Sequence, residues 1–308
     1  MMREFIIPFA TGLTFFLFGM KIMRIGLEKF SGDYLQGFLY NFTKTPYHGF
    51  FTGTMATLLL QSSSAVTVLT IGFINAGMMD FYQTIGIILG TNVGTVATVE
   101  LLALNISKVA VPLLILAAIL FLIPHHKTRS MGLFFGGFSI IFLGMDALQM
   151  ISSFIQNSVW LQTILSFTEH QNLIGLLIGI VVTSMIQSSS ATIAMTMGMI
   201  FNSAIPLNFG LAIVLGSNIG TCITAILASI GGNIEGKQVA TAHLILNVLG
   251  VSIFYPFIPD FVHLLTRLTS NPPTQIAHFQ LIFNLASSLA ILPFAKPFAK
   301  LTLFLAPK

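Results

Sequence analysis

The segment TLLLQSSSAVTVLTIG, residues 57–72, returns as TSMIQSSSATIAMTMG at residues 183–198. In both copies a Gln-Ser-Ser-Ser cluster interrupts an apolar region, which runs from Gly49 to Gly77 and again from Gly175 to Ser203. About 12 residues precede each cluster and form roughly 18 Å of helix, which is too short to cross a bilayer. The pattern therefore predicts two re-entrant helical hairpins with the polar cluster near the turn. One long tilted helix, with the serines facing a neighbour, is the alternative.

The similarity between the two copies extends beyond the serines. At an offset of 126 residues, segments 49–98 and 175–224 are identical at 18 of 50 positions, and GTNVGT (90–95) aligns with GSNIGT (216–221). Three full crossings separate the starts of the two units, and an odd number inverts the second unit in the membrane, as in many secondary transporters. We expect one transport domain made of two inverted repeats. Residues 1–125 supply a helix, a hairpin and two spans, and residues 126–308 supply a helix, a hairpin, three spans and a tail.

The composition is typical of a membrane protein. Charged residues make up 7% of the 308 residues, hydrophobic residues make up 55%, and the mean hydropathy is +0.92. A soluble domain carries roughly 25% charged residues, so we expect an all-α polytopic membrane protein. The single cysteine excludes a disulfide framework. Seven segments approach the length of about 20 residues that a span needs: Phe5–Met23, Phe81–Leu104, Ser107–Pro124, Met131–Met150, Pro206–Ile230, Val239–Pro259 and Gln275–Pro293.

The Lys and Arg residues favour hairpins over straight spans. With both hairpins re-entrant, ten of the 13 basic residues fall on one side of the membrane and three on the other, as the positive-inside rule requires. The expected location is the inner (plasma) membrane, with the N-terminus outside and the C-terminus in the cytoplasm. Interfacial helices are expected near Ile25–Asn41, Ile151–Ser166 and Phe294–Leu305.

The two hairpin tips have the chemistry of an anion site. If the second arm of each hairpin begins at its serines, each tip presents a helix N-terminus with unpaired N–H groups and partial positive charge. Such ends bind phosphate and sulfate, and serine and glutamine side chains add donors. Packing is the plainer interpretation, because serine runs and small-residue spacings often mark only helix contacts. Gly86, Gly90 and Gly94, at four-residue spacing, fit packing as well as function.

No Lys or Arg lies within either hairpin or the segment that follows it. A buried anion without a fixed cation is costly, so a mobile cation is expected to accompany it. Hydroxyl and amide oxygens suit Na⁺ in broken transporter helices. The side chains that can supply them are Gln61, Asn92, Thr95, Gln187, Asn218 and Thr221. The sequence therefore predicts cation-coupled anion uptake.

The paired QSSS motifs and the GTNVGT and GSNIGT segments resemble the type II sodium-phosphate cotransporter family over roughly residues 5–290. The resemblance implies sodium-driven uptake of inorganic phosphate. Many bacterial relatives look longer, so the chain, which ends at Lys308, is expected to correspond to their membrane domain only. The motifs continue as AVT (65–67) and ATI (191–193), with less Ser and Thr than in the animal members. The implied phosphate-binding residues are Gln61, Ser62, Ser63, Ser64, Gln187, Ser188, Ser189 and Ser190, and the implied sodium ligands are Gln61, Ser64, Asn92, Thr95, Gln187, Ser190, Asn218 and Thr221.

The expected function is sodium-coupled phosphate uptake by alternating access, without enzymatic activity or a cofactor beyond Na⁺ as coupling ion. The partners are phosphate, Na⁺ and the lipid bilayer, with a homodimer left open and no nucleic acid. A sodium-coupled carrier of another small anion (sulfate, arsenate or a carboxylate) and an anion channel remain alternatives. A short pattern of a histidine followed by an asparagine occurs on two late spans, as His243 with Asn247 and as His278 with Asn284. Intramembrane histidines are functional candidates by default, although a structural role is the favoured interpretation here.

Overall fold

A computed structural model describes residues 2–31, 43–104, 107–150, 158–166 and 170–306, and every regular element in these ranges is helical. Two short 3₁₀ turns, 255–257 and 292–294, continue helices into their successors. The fifteen α-helices are α1 Met2–Ser31, α2 Pro46–Leu60, α3 Ser63–Asn75, α4 Phe81–Ala103, α5 Ser107–Leu122, α6 His126–Met150, α7 Val159–Ser166, α8 Gln171–Ile186, α9 Ser189–Phe201, α10 Leu207–Gly220, α11 Cys222–Ser229, α12 Ile234–Phe254, α13 Ile258–Leu268, α14 Pro272–Ile291 and α15 Ala295–Leu305.

Six helical runs in the described residues are long and apolar enough to cross a membrane: Ile6–Phe30, Phe81–Ala103, His126–Met150, Leu207–Ser229, Ile234–Leu268 and Pro272–Leu305. Large apolar side chains cover their outer faces and those of neighbouring helices; Leu122 is 80% exposed and Met185 is 78% exposed. Such a surface is stable in lipid and not in water. The chain is therefore an all-α, multi-pass membrane protein, as the composition predicts.

Among the described residues, six runs reach spanning length where the sequence predicts seven. The exception is Ser107–Pro124, where helix α5 has only 16 residues. Helix α1 is also longer than expected, because it continues without a break to Ser31 where the sequence predicts a new interfacial helix from Ile25. The rest of that predicted helix, and residues 151–157 of the second one, lie outside the described residues.

Two pairs of short helices meet at the QSSS clusters. Helices α2 and α3 contain 15 and 13 residues, and α8 and α9 contain 16 and 13. At 1.5 Å per residue each arm is about 20–24 Å long, shorter than the hydrocarbon core of about 30 Å. The helix breaks lie where the sequence places them. The re-entrant course of the pairs and the inversion of the second repeat stay predictions.

Glycines bring the first arm of each pair against the helix that follows the pair. A Cβ at Gly90 of α4 would lie within 3 Å of backbone atoms of Phe50 and Thr54 on α2. A Cβ at Gly216 of α10 would meet backbone atoms of Leu176 and Ile180 on α8 in the same way. All three positions of this contact are related by the offset of 126 residues. The glycine spacing therefore reports close packing, and the packing is duplicated together with the sequence.

Helix α1 packs along α6 through a second set of glycines. Gly12, Gly19 and Gly26 recur at seven-residue spacing on α1, and a Cβ at any of them would lie within 3 Å of an α6 backbone atom. Gly137 and Gly144 of α6 face α1 in return. Because the two backbones touch, α1 is held closely against α6.

Candidate functional site

The two QSSS clusters fold into the same turn. Gln61 ends α2 in the left-handed conformation (φ 49°, ψ 35°), and Gln187 ends α8 similarly (φ 57°, ψ 30°). Ser62 and Ser188 are extended N-caps, whose hydroxyl oxygens accept from the backbone N–H of Ala65 at 3.2 Å and of Ala191 at 3.3 Å. Serine is among the best N-cap residues. The second helix of each pair therefore begins at its serines, as predicted.

A left-handed residue other than glycine costs roughly 1–2 kcal/mol, and both turns carry it on glutamine. Gln61 offsets part of this cost, because its amide donates to the Leu58 carbonyl at 2.7 Å and its Oε1 accepts from Thr98 at 2.7 Å. The Gln187 side chain makes no such bond within the described residues and is exposed. Backbone strain that a glycine would remove, but that the chain keeps on another residue, often marks a functional site.

Both turns line one cavity of about 60 Å³. A volume of about 15 Å³ is enough for one water, so the cavity has room for several waters or one small anion. It brings together all eight residues of the two clusters, which are more than 120 positions apart in sequence. The full lining is Met20, Arg24, Gln61, Ser62, Ser63, Ser64, Thr95, Thr98, Gln187, Ser188, Ser189 and Ser190.

The cavity is rich in hydrogen-bond donors. Helices α3 and α9 both start at it, so the unpaired N–H groups and the positive dipole ends of two helices are directed toward the same space. Ser63 and Ser189, the first residues of these helices, are buried, with 8% and 6% of their surfaces exposed. Neither hydroxyl makes a hydrogen bond within the described residues, so both can donate to a bound anion.

A smaller cavity of about 10 Å³ adjoins the first and shares Ser63, Thr95 and Ser189 with it. Asn92 is the central residue of the 23-residue run Phe81–Ala103, and Asn218 is the central residue of the 23-residue run Leu207–Ser229. The small cavity is therefore at mid-depth along two candidate spans. Its lining is Ser63, Asn92, Thr95, Ser189, Asn218, Thr221, His243, Asn247 and Asn284.

Hydrogen bonds between amide side chains hold them in place around the small cavity. Asn218 and Gln280 exchange two hydrogen bonds, of 2.9 and 3.0 Å, and Asn92 donates to Asn247 at 3.4 Å. The hydroxyl of Thr95 donates to a backbone carbonyl of its own helix and keeps its oxygen lone pairs free. Such neutral oxygens are suitable ligands for a hard monovalent cation.

The predicted sodium ligands divide between the two cavities. Gln61, Ser64, Gln187 and Ser190 lie at the larger one, Asn92, Asn218 and Thr221 at the smaller one, and Thr95 at both. The Ser64 hydroxyl is 3.2 Å from that of Thr224. The two sequence repeats therefore touch at the site itself.

The two histidines on the late spans, His243 and His278, differ in environment. His243 is 1% exposed and lines the small cavity with Asn284, and neither His243 Nδ1 nor the Asn284 side-chain atoms have a hydrogen-bond partner in the described residues. His278 instead is 3.1 Å from Glu100 at a half-buried position on α4 and α14. Sequence reasoning noticed His243 and Asn284 as polar residues in apolar spans, but did not connect them with the QSSS clusters.

Arg24 was missed by sequence reasoning. The expectation that no fixed cation reaches the predicted anion site does not hold, because Arg24 of α1 lines the cavity that contains both QSSS clusters. Arg24 lies outside both predicted hairpins and the segments after them, because α1 approaches the turns from an earlier part of the chain. A cation inside an apolar span is a functional candidate by default, but the predicted first span ended at Met23, and only the structure extends the apolar run past Arg24.

The comparisons with known proteins identify the family of the chain. The chain is 37% identical over 302 residues to a Bacillus subtilis protein named "Uncharacterized protein YqeW", covering 98% of both chains. It is 26% identical to an Escherichia coli O157:H7 protein named "Putative inorganic phosphate export protein YjbB", of which it spans about half the length (52%), over 92% of its own. Over 42% of its length it is 30% identical to the human sodium-dependent phosphate transport protein 2B, covering 19% of that chain.

No solved structure matches the chain. The family model of the Na⁺/Pi-cotransporter matches residues 15–150 and 150–271, and this span includes both QSSS clusters and Arg24. A match of this extent shows the family, which is one of transporters and not of enzymes, and the chain belongs to the Na⁺/Pi-cotransporter family.

Proposed function

We propose that the protein takes up inorganic phosphate together with Na⁺ by alternating access. The observation that carries this proposal is the convergence of two helix N-termini and eight QSSS residues on one cavity of about 60 Å³. The N–H groups and hydroxyls there are suited to a tetrahedral oxyanion. The family of the chain and the printed name of its human relative support phosphate as substrate and Na⁺ as coupling ion.

Sodium is assigned to the oxygens between and beside the two turns. Asn92, Thr95, Asn218 and Thr221 line a cavity of about 10 Å³, of the size for a single water or small cation. Gln61, Ser64, Gln187 and Ser190 lie at the phosphate cavity and supply further oxygens. A cation bound here would adjoin the anion and lower the cost of burying its charge.

The topology proposed is that of two inverted repeats, 1–125 and 126–308, in the inner (plasma) membrane. The N-terminus lies outside and the C-terminus in the cytoplasm, in accord with the distribution of Lys and Arg. The duplicated packing of α2 on α4 and of α8 on α10 supports equivalent roles for the two halves. Rocking of one repeat against the other would expose the shared cavity to each side in turn.

The test is uptake of labelled inorganic phosphate by the purified protein in sealed proteoliposomes. Accumulation above the external concentration is expected under an inward Na⁺ gradient and not under a K⁺ gradient. Ser189→Ala is expected to reduce this uptake about tenfold, the effect of one lost hydrogen bond to a charged group. Ser252→Ala is the matched control, because Ser252 is exposed on α12 and bonds only within its own helix. Equilibration without accumulation would identify a channel, and stronger competition by sulfate, arsenate or a carboxylate would identify another anion carrier.

Export is the second candidate, because the Escherichia coli relative carries an export protein's name. A coupled carrier runs in the direction set by its gradients, so direction is tested in cells. Cells loaded with labelled phosphate are expected to retain it when the protein is present and external Na⁺ is high. Faster net loss of label under these conditions would favour export.

A further inference from the structure

The packing of α1 places the Arg24 side chain at the cavity that both QSSS turns line. Met20 and Arg24, one turn apart on α1, line the larger cavity together. Gly26 is on the other side of the helix, where a Cβ would lie within 3 Å of Ser130 and Phe134 backbone atoms on α6. Because α6 lies behind α1, the α1 backbone cannot move away from the two QSSS turns without clashing with α6. The position of the guanidinium depends on the helix, not on a loop.

The guanidinium lacks a full set of partners. Arg24 is half-buried, and its Nε is shielded from solvent with no hydrogen-bond partner among the described residues. Glu28, one turn along the same helix, interacts with it electrostatically but is itself exposed. A buried donor without an acceptor is costly, and chains retain such groups where a ligand completes them.

The cavity that Arg24 lines is rich in hydrogen-bond donors. The starts of α3 and α9 direct N–H groups and positive dipole ends at it, and the serine hydroxyls can donate as well. Two helix N-termini and a guanidinium directed at one space favour an anion there. Among the described residues that line the cavity, only Arg24 carries a full charge.

We propose that Arg24 is a substrate-binding residue whose guanidinium donates from Nε and one Nη to two oxygens of the bound phosphate. This assignment rests on the proposed function and adds to it a fixed cation, so that Na⁺ does not carry the whole charge balance. Arginine presents a planar fork that matches two phosphate oxygens, whereas lysine offers a point charge. Affinity for phosphate should therefore depend on the fork as well as on the charge.

The experiment compares phosphate and sodium dependence of uptake in proteoliposomes for the wild type, Arg24→Lys and Arg24→Gln. We expect Arg24→Gln to raise the KM for phosphate about tenfold or more, the size of a lost charge-assisted hydrogen bond. Arg24→Lys should fall between it and the wild type, and the KM for Na⁺ should change less than about twofold in both. Lys21→Gln is the matched control, because Lys21 is exposed on the same helix and does not line the cavity.

Two outcomes would overturn the assignment. One is an unchanged KM for phosphate in Arg24→Gln with the wild type active. The other is recovery of the Arg24→Gln defect in the double variant with Glu28→Gln, which would make Arg24 a structural partner of Glu28. If the wild type transports no phosphate, the proposed function fails instead. The assignment is then tested by binding alone: inorganic phosphate should raise the melting temperature of the detergent-solubilised wild type most, that of Arg24→Lys less and that of Arg24→Gln least, and equal shifts would refute it.

Discussion

At the scale of single residues, the two glutamines determine how each turn directs its serines. The sequence predicted a turn at each cluster, because the arms were too short to span and the serines were good caps. It did not predict the left-handed conformation of Gln61 and Gln187, since glycine or asparagine is the usual residue there. It also missed Arg24, whose role depends on how α1 packs against α6 and not on any motif.

Replacing Gln187 by glycine separates backbone from side-chain effects. Glycine adopts the left-handed conformation at no steric cost, which removes a penalty of roughly 1–2 kcal/mol and offsets its greater chain entropy. The melting temperature of Gln187→Gly is therefore expected to stay equal or rise. Phosphate uptake should fall about tenfold, because an amide that lines the cavity is lost.

The matched variant is Gln61→Gly, measured in the same melting and uptake assays. It should lower the melting temperature as well as uptake, since Gln61 bonds to Leu58 and Thr98. Wild-type uptake in Gln187→Gly would remove Gln187 from the site.

At the scale of helices, the sequence was most informative where small residues recur. The spacing of Gly86, Gly90 and Gly94 was consistent with both packing and function, and the structure shows contact with α2 at each of them. The residue between them that lines a cavity is Asn92. The sequence was less informative about the lengths of α5 and α1. Hydropathy predicted a longer α5 and a shorter α1, because it does not show where the helical hydrogen bonds end.

Alanine at Gly90 tests the helix contact that supports the first turn. A Cβ there would lie within 3 Å of α2 backbone atoms, which cannot rotate away as a side chain would. Overpacking of this kind costs about 1–3 kcal/mol, so Gly90→Ala should lower the melting temperature and the yield of monodisperse protein. Gly72→Ala is the control within α3, since a Cβ at Gly72 has nothing within 4 Å.

Helix propensity favours alanine over glycine by about 1 kcal/mol, so Gly72→Ala should melt at the same temperature or higher. Equal melting of the two variants would mean that the contact between α2 and α4 is loose. Because Phe50 and Thr54 have counterparts in Leu176 and Ile180, Gly216→Ala should repeat the effect of Gly90→Ala in the second half.

At the scale of the whole molecule, the two repeats place equivalent residues around common cavities. Asn92 and Asn218 are each at the middle of a candidate span and line the same small space. The sequence predicted this convergence from the duplication and from the parity of the crossings. Parity depends on the hairpins being re-entrant, since a straight passage through either pair would change the side on which every later loop lies.

Accessibility of introduced cysteines decides the topology. Lys44 and His170 are exposed, precede α2 and α8, and are equivalent at the offset of 126 residues. In a Cys222→Ala background, Lys44→Cys and His170→Cys should react with a membrane-impermeant maleimide from opposite sides, Lys44→Cys from the cytoplasm. Ala76→Cys, at the exposed end of α3, should react from the same side as Lys44→Cys, because a re-entrant pair returns to the face from which it entered. Labelling of Ala76→Cys and Lys44→Cys from opposite sides would make α2 and α3 a continuous crossing, and labelling of Lys44→Cys and His170→Cys from one side would exclude inverted repeats.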